Sequence, residues 1–199
     1  MMVKLVPITK KAVVLMYGEA DSANYLIETF RDSLEGQDAD VREVASKFAK
    51  VCREDAKETK GVPAHPDYFP NLGFVIAGLV QKTDGTLDPR CYSLQSVKGF
   101  KLGIYGQKFA IEGKPIIALY RFAKHFKPKM TQNDLSVLVA QALYDTQQVD
   151  GDVGGQIRMG IIDETEFRAF TPSNIRELIR EWPEEQEEAV PESTPQATE

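Results

Sequence analysis

The acidic residues of the last third of the chain are the first candidates for chemistry. Asp150 and Asp152 come just before two glycines, and Asp163 and Glu164 follow them. Carboxylate oxygens suit calcium, but this Asp-x-Asp spacing lacks the remaining ligands of a calcium loop. A turn rich in Asp and Gly explains the segment equally well, so we predict no metal site and no bound cofactor.

The two histidines are the next candidates. His65 lies in a proline-rich stretch without other metal ligands, and we interpret it as a loop residue. His125 is surrounded by Lys124, Lys127 and Lys129. This basic cluster could bind a phosphate or an acidic peptide. A solvated helix end, where cations oppose the helix dipole, is the simpler interpretation.

Composition indicates a folded protein with an acidic end. The chain has 199 residues, 42% of them apolar, which suits one ordinary domain. Of its 30 acidic residues, six lie in residues 183–199, where no lysine or arginine occurs; 24 acids remain against 24 bases. We therefore predict a neutral domain over residues 1–182 and a disordered acidic tail over residues 183–199, either solubilising or a docking peptide for a basic partner.

Several classes of protein are disfavoured by the same composition. The neutral domain lacks the basic excess of a nucleic-acid binder. No apolar run approaches the roughly 20 residues of a membrane span, and the N-terminus lacks a signal-peptide pattern. We expect a cytoplasmic protein without nucleic-acid or membrane partners, in which Cys52 and Cys91 are reduced thiols on a helix and a strand.

Hydrophobic periodicity predicts strands and helices in separate groups. In the helix over 116–126 we expect an inward face of Ile116, Leu119, Tyr120 and Ala123, and Thr131 should open the next helix with a capping box. Asp21 or Ser22 should cap the first helix, and Ser173 the last one. The predicted strands are 4–8, 12–17, 72–80, 90–97, 99–105, 154–162 and 166–170. The first predicted helix follows Asp21 and Ser22 and is stopped by Gly36, and the other predicted helices are 40–58, 116–126, 131–147 and 173–181.

This order, with helices in pairs and strands in groups, predicts the fold class. Two sheets stacked face to face, with a helix pair on each outer side, would bury every predicted apolar face. The class is α/β (α+β), arranged as a four-layer αββα sandwich. That arrangement is the pattern of the N-terminal-nucleophile hydrolases.

Four segments resemble the proteasome subunit family, in particular its β-type and bacterial members. Lys4-Leu-Val-Pro-Ile8 is similar to a Lys-φ-x-x-Ile stretch of the family, and Leu72–Gly78 to an apolar strand ending in Ala-Gly. Ile111–Pro115 occupies the place of the family's Gly-Ser-Gly loop, and Val149–Gly155 resembles its Arg-Asp-x-x-Ser-Gly-Gly signature. The resemblance spans about residues 3–172.

The resemblance implies threonine-type proteolysis in a ring of subunits, with polypeptides as substrates. In the family an N-terminal Thr attacks the scissile carbonyl, and its own α-amino group or a nearby water moves the proton. A lysine keeps that amine neutral and stabilises the developing anion, and a later aspartate orients the terminus. By position Lys4 is the lysine and Asp150 the aspartate, and both are expected to be catalytic.

This sequence departs from the family at its start. It begins Met1-Met2, and its first hydroxyl, that of Thr9, follows Lys4 within a predicted turn. Val153 matches the family serine. We therefore expect that this sequence lacks the nucleophile and the first hairpin, through truncation or a misplaced start codon, and that the chain is inactive. The alternatives are a non-catalytic proteasome-like subunit serving assembly or regulation, and an unrelated binding role on the same fold.

Overall fold

The computed structural model describes residues 5–34, 39–59, 72–106, 110–112, 116–151 and 153–183. Among the helices in these ranges, none combines the length and apolar character that crossing a bilayer requires. The predicted division into a domain and an acidic tail stays a prediction, because residues 184–199 lie outside the described part.

An antiparallel sheet forms the first half of the structure, with the strands side by side in chain order. Its central strands are rich in β-branched and other apolar residues and alternate between two faces, as the pleat requires. The strands are β1 (Leu5–Thr9), β2 (Ala12–Gly18), β3 (Leu72–Gln81), β4 (Leu87–Gln95) and the short β5 (Gly103–Ile104). The predicted strands over 4–8, 12–17 and 72–80 are thus confirmed.

Two helices, α1 (Ala20–Ser33) and α2 (Val41–Thr59), cover one face of this sheet. Three phenylalanines, one from each helix and one from β3, occupy the middle of the core: Phe30, Phe48 and Phe74 are fully buried. The ring of Phe48 lies 4.9 Å from that of Phe30 and 4.8 Å from that of Phe74, between centroids. The apolar stripes predicted for both helices therefore face the sheet.

The start of α1 differs slightly from the prediction. Glu19 caps the helix, because its carboxylate accepts the backbone N–H groups of Asp21 (2.9 Å) and Ser22 (2.8 Å). Asp21 and Ser22 are therefore donors inside the first turn and not the cap. The longer side chain of Glu19 reaches the same orphan N–H groups that a shorter capping residue would satisfy.

Three helices and a short hairpin form the second half. Thr131 opens α4 with the predicted capping box, whereas Thr171, not Ser173, caps α5. Two small cores result, one between α3 and α4 and one among α4, α5 and the segment around Met159. The elements are α3 (Ile116–His125), α4 (Gln132–Val149), β6 (Gly160–Ile162), β7 (Phe167–Ala169) and α5 (Pro172–Arg180).

Three predicted elements are wrong in detail. The strand expected over 154–162 is only Gly160–Ile162. The strand expected over 99–105 is only the two residues of β5, because Gly99 and Phe100 have positive φ (62° and 53°) and turn the chain after a 3-10 helix at Ser96–Lys98. The inward face of α3 is also wrong. Ala118 and Phe122 are buried, whereas Ile116 is 79% exposed and Tyr120 is 61% exposed.

The fold class is confirmed at the level of a mixed α/β protein with an antiparallel sheet and packed helices. The second sheet of the expected sandwich corresponds, among the described residues, to the β6–β7 ladder. Stacking of two sheets is not confirmed by this arrangement.

Candidate functional site

Asp150 caps the end of α4 and begins the turn that was predicted to carry a catalytic aspartate. Its backbone N–H donates to the carbonyl of Thr146 (2.9 Å), and its own carbonyl accepts the N–H of Val153 (2.9 Å). Gln147 Nε2 donates to the carbonyl of Gly155 (2.8 Å), which ties the turn to the helix. Asp150 is half-buried, and these hydrogen bonds fix its main chain on both sides. The Cα atom that carries its side chain is therefore held in a defined position.

Lys4, the other expected catalytic residue, lies outside the described residues, as do residues 113–115 of the segment that was matched to the family's Gly-Ser-Gly loop. The described chain starts at Leu5, which pairs with Leu15 across β1 and β2. The expected partnership between Lys4 and Asp150 therefore stays a prediction.

The hydroxyl of Thr9 is engaged in structure. It donates to the carbonyl of Ala39 (3.1 Å) and accepts the N–H of Lys11 (3.2 Å). These two bonds hold the β1–β2 turn against the segment that leads into α2. A hydroxyl fixed in this way serves the turn, which agrees with its predicted place there.

A cluster that sequence reasoning missed lies at the end of β2 and β4, and we call it the tyrosine–glutamate cluster (Tyr17, Gln95, Tyr105, Glu112). The carboxylate of Glu112 accepts a hydrogen bond from the hydroxyl of Tyr105 and a second from Gln95 Nε2 (3.4 Å). Tyr17 hydrogen-bonds with both Gln95 and Glu112. The carboxylate thus holds residues 110–112 against the end of the sheet.

Sheet register explains how Tyr17 reaches this cluster. Tyr17 pairs with Gly73 on β3, and Gly73 pairs with Gln95 on β4. A β-carbon on Gly73 would collide with the ring of Tyr17, so the absent side chain is what lets that ring cross β3. Burial and the neighbouring charge of Glu112 raise the pKa of Tyr17 above its ordinary value of 10.0.

The side chains of this cluster can position the segment that carries Glu112. A carboxylate with phenol and amide partners orients a loop through charge-assisted hydrogen bonds, but it offers no activated nucleophile. Glu112 belongs to Ile111–Pro115, the segment singled out by its place in the chain. Nothing local in the sequence marks Tyr17 or Gln95, because only the strand register brings them to Glu112.

The other acidic candidates of the sequence include Asp163, whose carboxylate is used in hydrogen bonds within a turn. The carboxylate of Asp163 accepts the N–H and hydroxyl of Thr165 and the N–H of Glu166, and it pairs with Arg168 (2.6 Å). It therefore belongs to the β6–β7 turn. Asp152 lies outside the described residues. Within the part of the chain that the structure describes, no group of three potential metal ligands occurs.

The cysteines and His125 lie on helices and strands of the fold. Cys52 on α2 and Cys91 on β4 are unpaired thiols, as predicted, and burial raises the pKa of both. His65 lies outside the described ranges. His125 is at the end of α3, where its ring packs against that of Trp182 with 4.9 Å between centroids.

Comparison with known proteins gives one informative relationship. No protein-family model matches the chain. The chain is 27% identical over 190 residues to a proteasome subunit beta type-6 from Dictyostelium discoideum, covering 90% of this chain and 78% of that protein. The match confirms the resemblance to the proteasome subunit family.

Proposed function

We propose that this chain, as a member of the proteasome subunit family, acts as a β-type subunit in threonine-type hydrolysis of polypeptides within a ring of subunits. The observation that carries the proposal is the extent of the match, which covers 90% of this chain and 78% of a proteasome subunit beta type-6. A match of that extent covers most of the chain and not one shared motif.

The proposed catalytic contributions follow the family chemistry. Lys4 would stabilise the developing anion and keep a nearby α-amine neutral, and Asp150 would orient the nucleophile-bearing terminus. The described hydroxyl closest to Lys4 in sequence, that of Thr9, is bonded to Ala39 and Lys11. These bonds commit that hydroxyl to the β1–β2 turn, so we do not assign Thr9 as the nucleophile.

The proposed architecture is the four-layer αββα sandwich of N-terminal-nucleophile hydrolases. Support comes from the face of the sheet that points away from α1 and α2. Val13 and Val75 lie on that face with only 4% and 9% exposure, although neither belongs to the helix-side core. We propose that a second sheet including β6 and β7 covers this face.

A peptidase assay on the full natural gene product tests the catalytic proposal. Each variant is made in that protein and assayed with fluorogenic peptides. Lys4→Ala and Asp150→Asn should each reduce kcat/KM by about a hundredfold or more, the size typical of lost catalytic groups. The matched controls Lys10→Ala and Asp32→Asn remove exposed side chains of the same types and should leave it unchanged.

The result that contradicts the proposal is equally specific. A full gene product without peptidase activity, or one whose activity is the same with and without both substitutions, would remove the peptidase assignment. Assembly is measured separately by light scattering. We expect a cytoplasmic homo-oligomer or ring of the full chain, and a monomer at micromolar concentration would contradict the subunit role.

A further inference from the structure

The end of the described chain lies against a basic surface formed where α3 meets α4. This surface, which we call the basic corner, consists of Lys124, His125, Lys127 and Lys129. The three lysines are exposed, and they sit at and just after the C-terminus of α3. The segment that continues from the described chain, residues 184–199, contains six glutamates and no lysine or arginine.

Three contacts fix the point where that acidic segment leaves the fold. The ring of Trp182 packs edge-on against His125 at 4.9 Å, and the side chain of Arg121 lies 5.9 Å from the Trp182 ring centroid. One residue earlier, Glu181 accepts a hydrogen bond from Asn133 Nδ2 (3.3 Å). Trp182 is therefore held between the end of α3 and the start of α4, beside the basic corner.

From this geometry we infer that the acidic segment 184–199 docks in cis on the basic corner of its own chain. The lysine cluster could bind an acidic peptide, and the tail could bind a basic surface. The two lie next to each other in one molecule. The docked tail covers the corner and competes with any acidic partner for it. The inference concerns charge pairing on the outside of α3 and is independent of the proposed peptidase site.

Chain lengths allow the contact without rearrangement of the fold. An extended residue spans about 3.5 Å, so Glu184 and Glu185 reach about 7 to 11 Å from Trp182. Lys127 lies two residues and Lys129 four residues after His125, within about 7 and 14 Å by the same measure. Because the tail is anchored next to its target, docking is intramolecular and each weak ion pair forms at a high effective concentration.

Acylation rates of the lysines measure this docking in the full chain. The test variant carries Glu184→Gln, Glu185→Gln, Glu187→Gln and Glu188→Gln, which keeps the tail and its size. Limiting acetic anhydride is added, and modification of each lysine is followed by mass spectrometry. Lys98 and Lys101, exposed residues beside β4 and β5, are the internal references.

We expect Lys127 and Lys129 to react about threefold more slowly in the wild-type chain than in the test variant at low salt, the size suited to exposed ion pairs. The difference should vanish at about 1 M NaCl, where the Debye length is near 3 Å. A control chain with Glu28→Gln and Glu58→Gln removes exposed charge from α1 and α2, and it should behave like the wild type.

Three results would overturn the inference. Equal rates for the wild type and the test variant would mean that the tail is a free solubilising segment. Equal slowing of Lys98 and Lys101 would mean that the tail has no preferred surface. Slowing that disappears on tenfold dilution would mean that the tail of another copy covers the corner.

Discussion

The ring of Tyr17 lies across Gly73, in the space that any side chain at residue 73 would fill. The two residues are register partners on β2 and β3. This contact carries a phenol from β2 to Gln95 on β4 and to Glu112 beyond it. The absence of a side chain at Gly73 thereby lets the core sheet contact residues 110–112 through Tyr17.

Gly73→Ala should destabilise the protein because the added methyl group meets the Tyr17 ring inside a paired sheet. We expect a loss of about 1 to 3 kcal/mol in the free energy of unfolding, measured by urea denaturation, as for other overpacked sites. Gly106→Ala is the matched control, since no atom lies within 4 Å of the added carbon there. A Gly73→Ala protein as stable as the Gly106→Ala protein would show that Tyr17 moves aside without cost.

Glu112→Gln should lower the pKa of Tyr17. Burial is the main cause of the raised pKa and stays in the variant, whereas the charge of Glu112 is the second cause and is removed. The measurement is a tyrosine 13Cζ NMR titration, with Tyr17→Phe to assign the signal and Glu28→Gln, an exposed acid of α1, as control. An unchanged Tyr17 pKa in Glu112→Gln would contradict the described contact.

The sign of the accompanying pH effect on stability follows from the same shift. Tyr17 has a folded pKa above its unfolded value of 10.0, so its contribution to stability is complete below pH 10.0 and is lost as pH rises through the folded pKa. The wild type should therefore lose stability faster than Tyr17→Phe in alkaline urea titrations. Parallel curves for the two proteins would refute this linkage.

Asp163→Asn should remove a pH-dependent contribution from the β6–β7 turn. Hydrogen bonds from Thr165 and Glu166 hold the pKa of Asp163 well below its usual value of 3.8. Its contribution is therefore present above pH 3.8 and fades as pH falls through the lower folded pKa. Melting temperatures should show a wild-type advantage at neutral pH that narrows below pH 3.8.

The control for this turn is Asp32→Asn, which removes an exposed carboxylate from α1. An Asp163→Asn protein with the same acid profile as this control would show that the turn does not depend on the ionised carboxylate. The comparison also separates a local capping effect from a general change in net charge.

Periodicity was enough to predict most helices and the central strands, but it could not choose the buried side of α3. Nearly every residue from Ile116 to Ala123 is apolar or aromatic, so both sides of the helix satisfy an amphipathic pattern. The partner decides: Ala118 and Phe122 are buried with Leu138 and Ala142 of α4. The buried side of α3 therefore depends on tertiary packing and cannot be predicted from the sequence of the helix alone.

The candidate site also depends on tertiary packing that the local sequence does not predict. Asp150 was predicted as a site residue because its surroundings resemble a known order of residue types, and its role stays a prediction. The tyrosine–glutamate cluster was not found, because Tyr17 and Gln95 become neighbours only through the register of β2, β3 and β4. Phe100 likewise gives no sign in the sequence of its positive φ, since residues other than glycine rarely adopt it.

The position of Trp182 decides what a fluorescence experiment on this protein can see. It is the single tryptophan of the chain, and it packs at the edge of both small cores around α4. The phenylalanine core beneath the sheet contains no tryptophan. Tryptophan emission therefore reports on the helices of the second half alone, while circular dichroism averages over both halves. Two unfolding curves that separate would reveal that the sheet and the helices melt as distinct units.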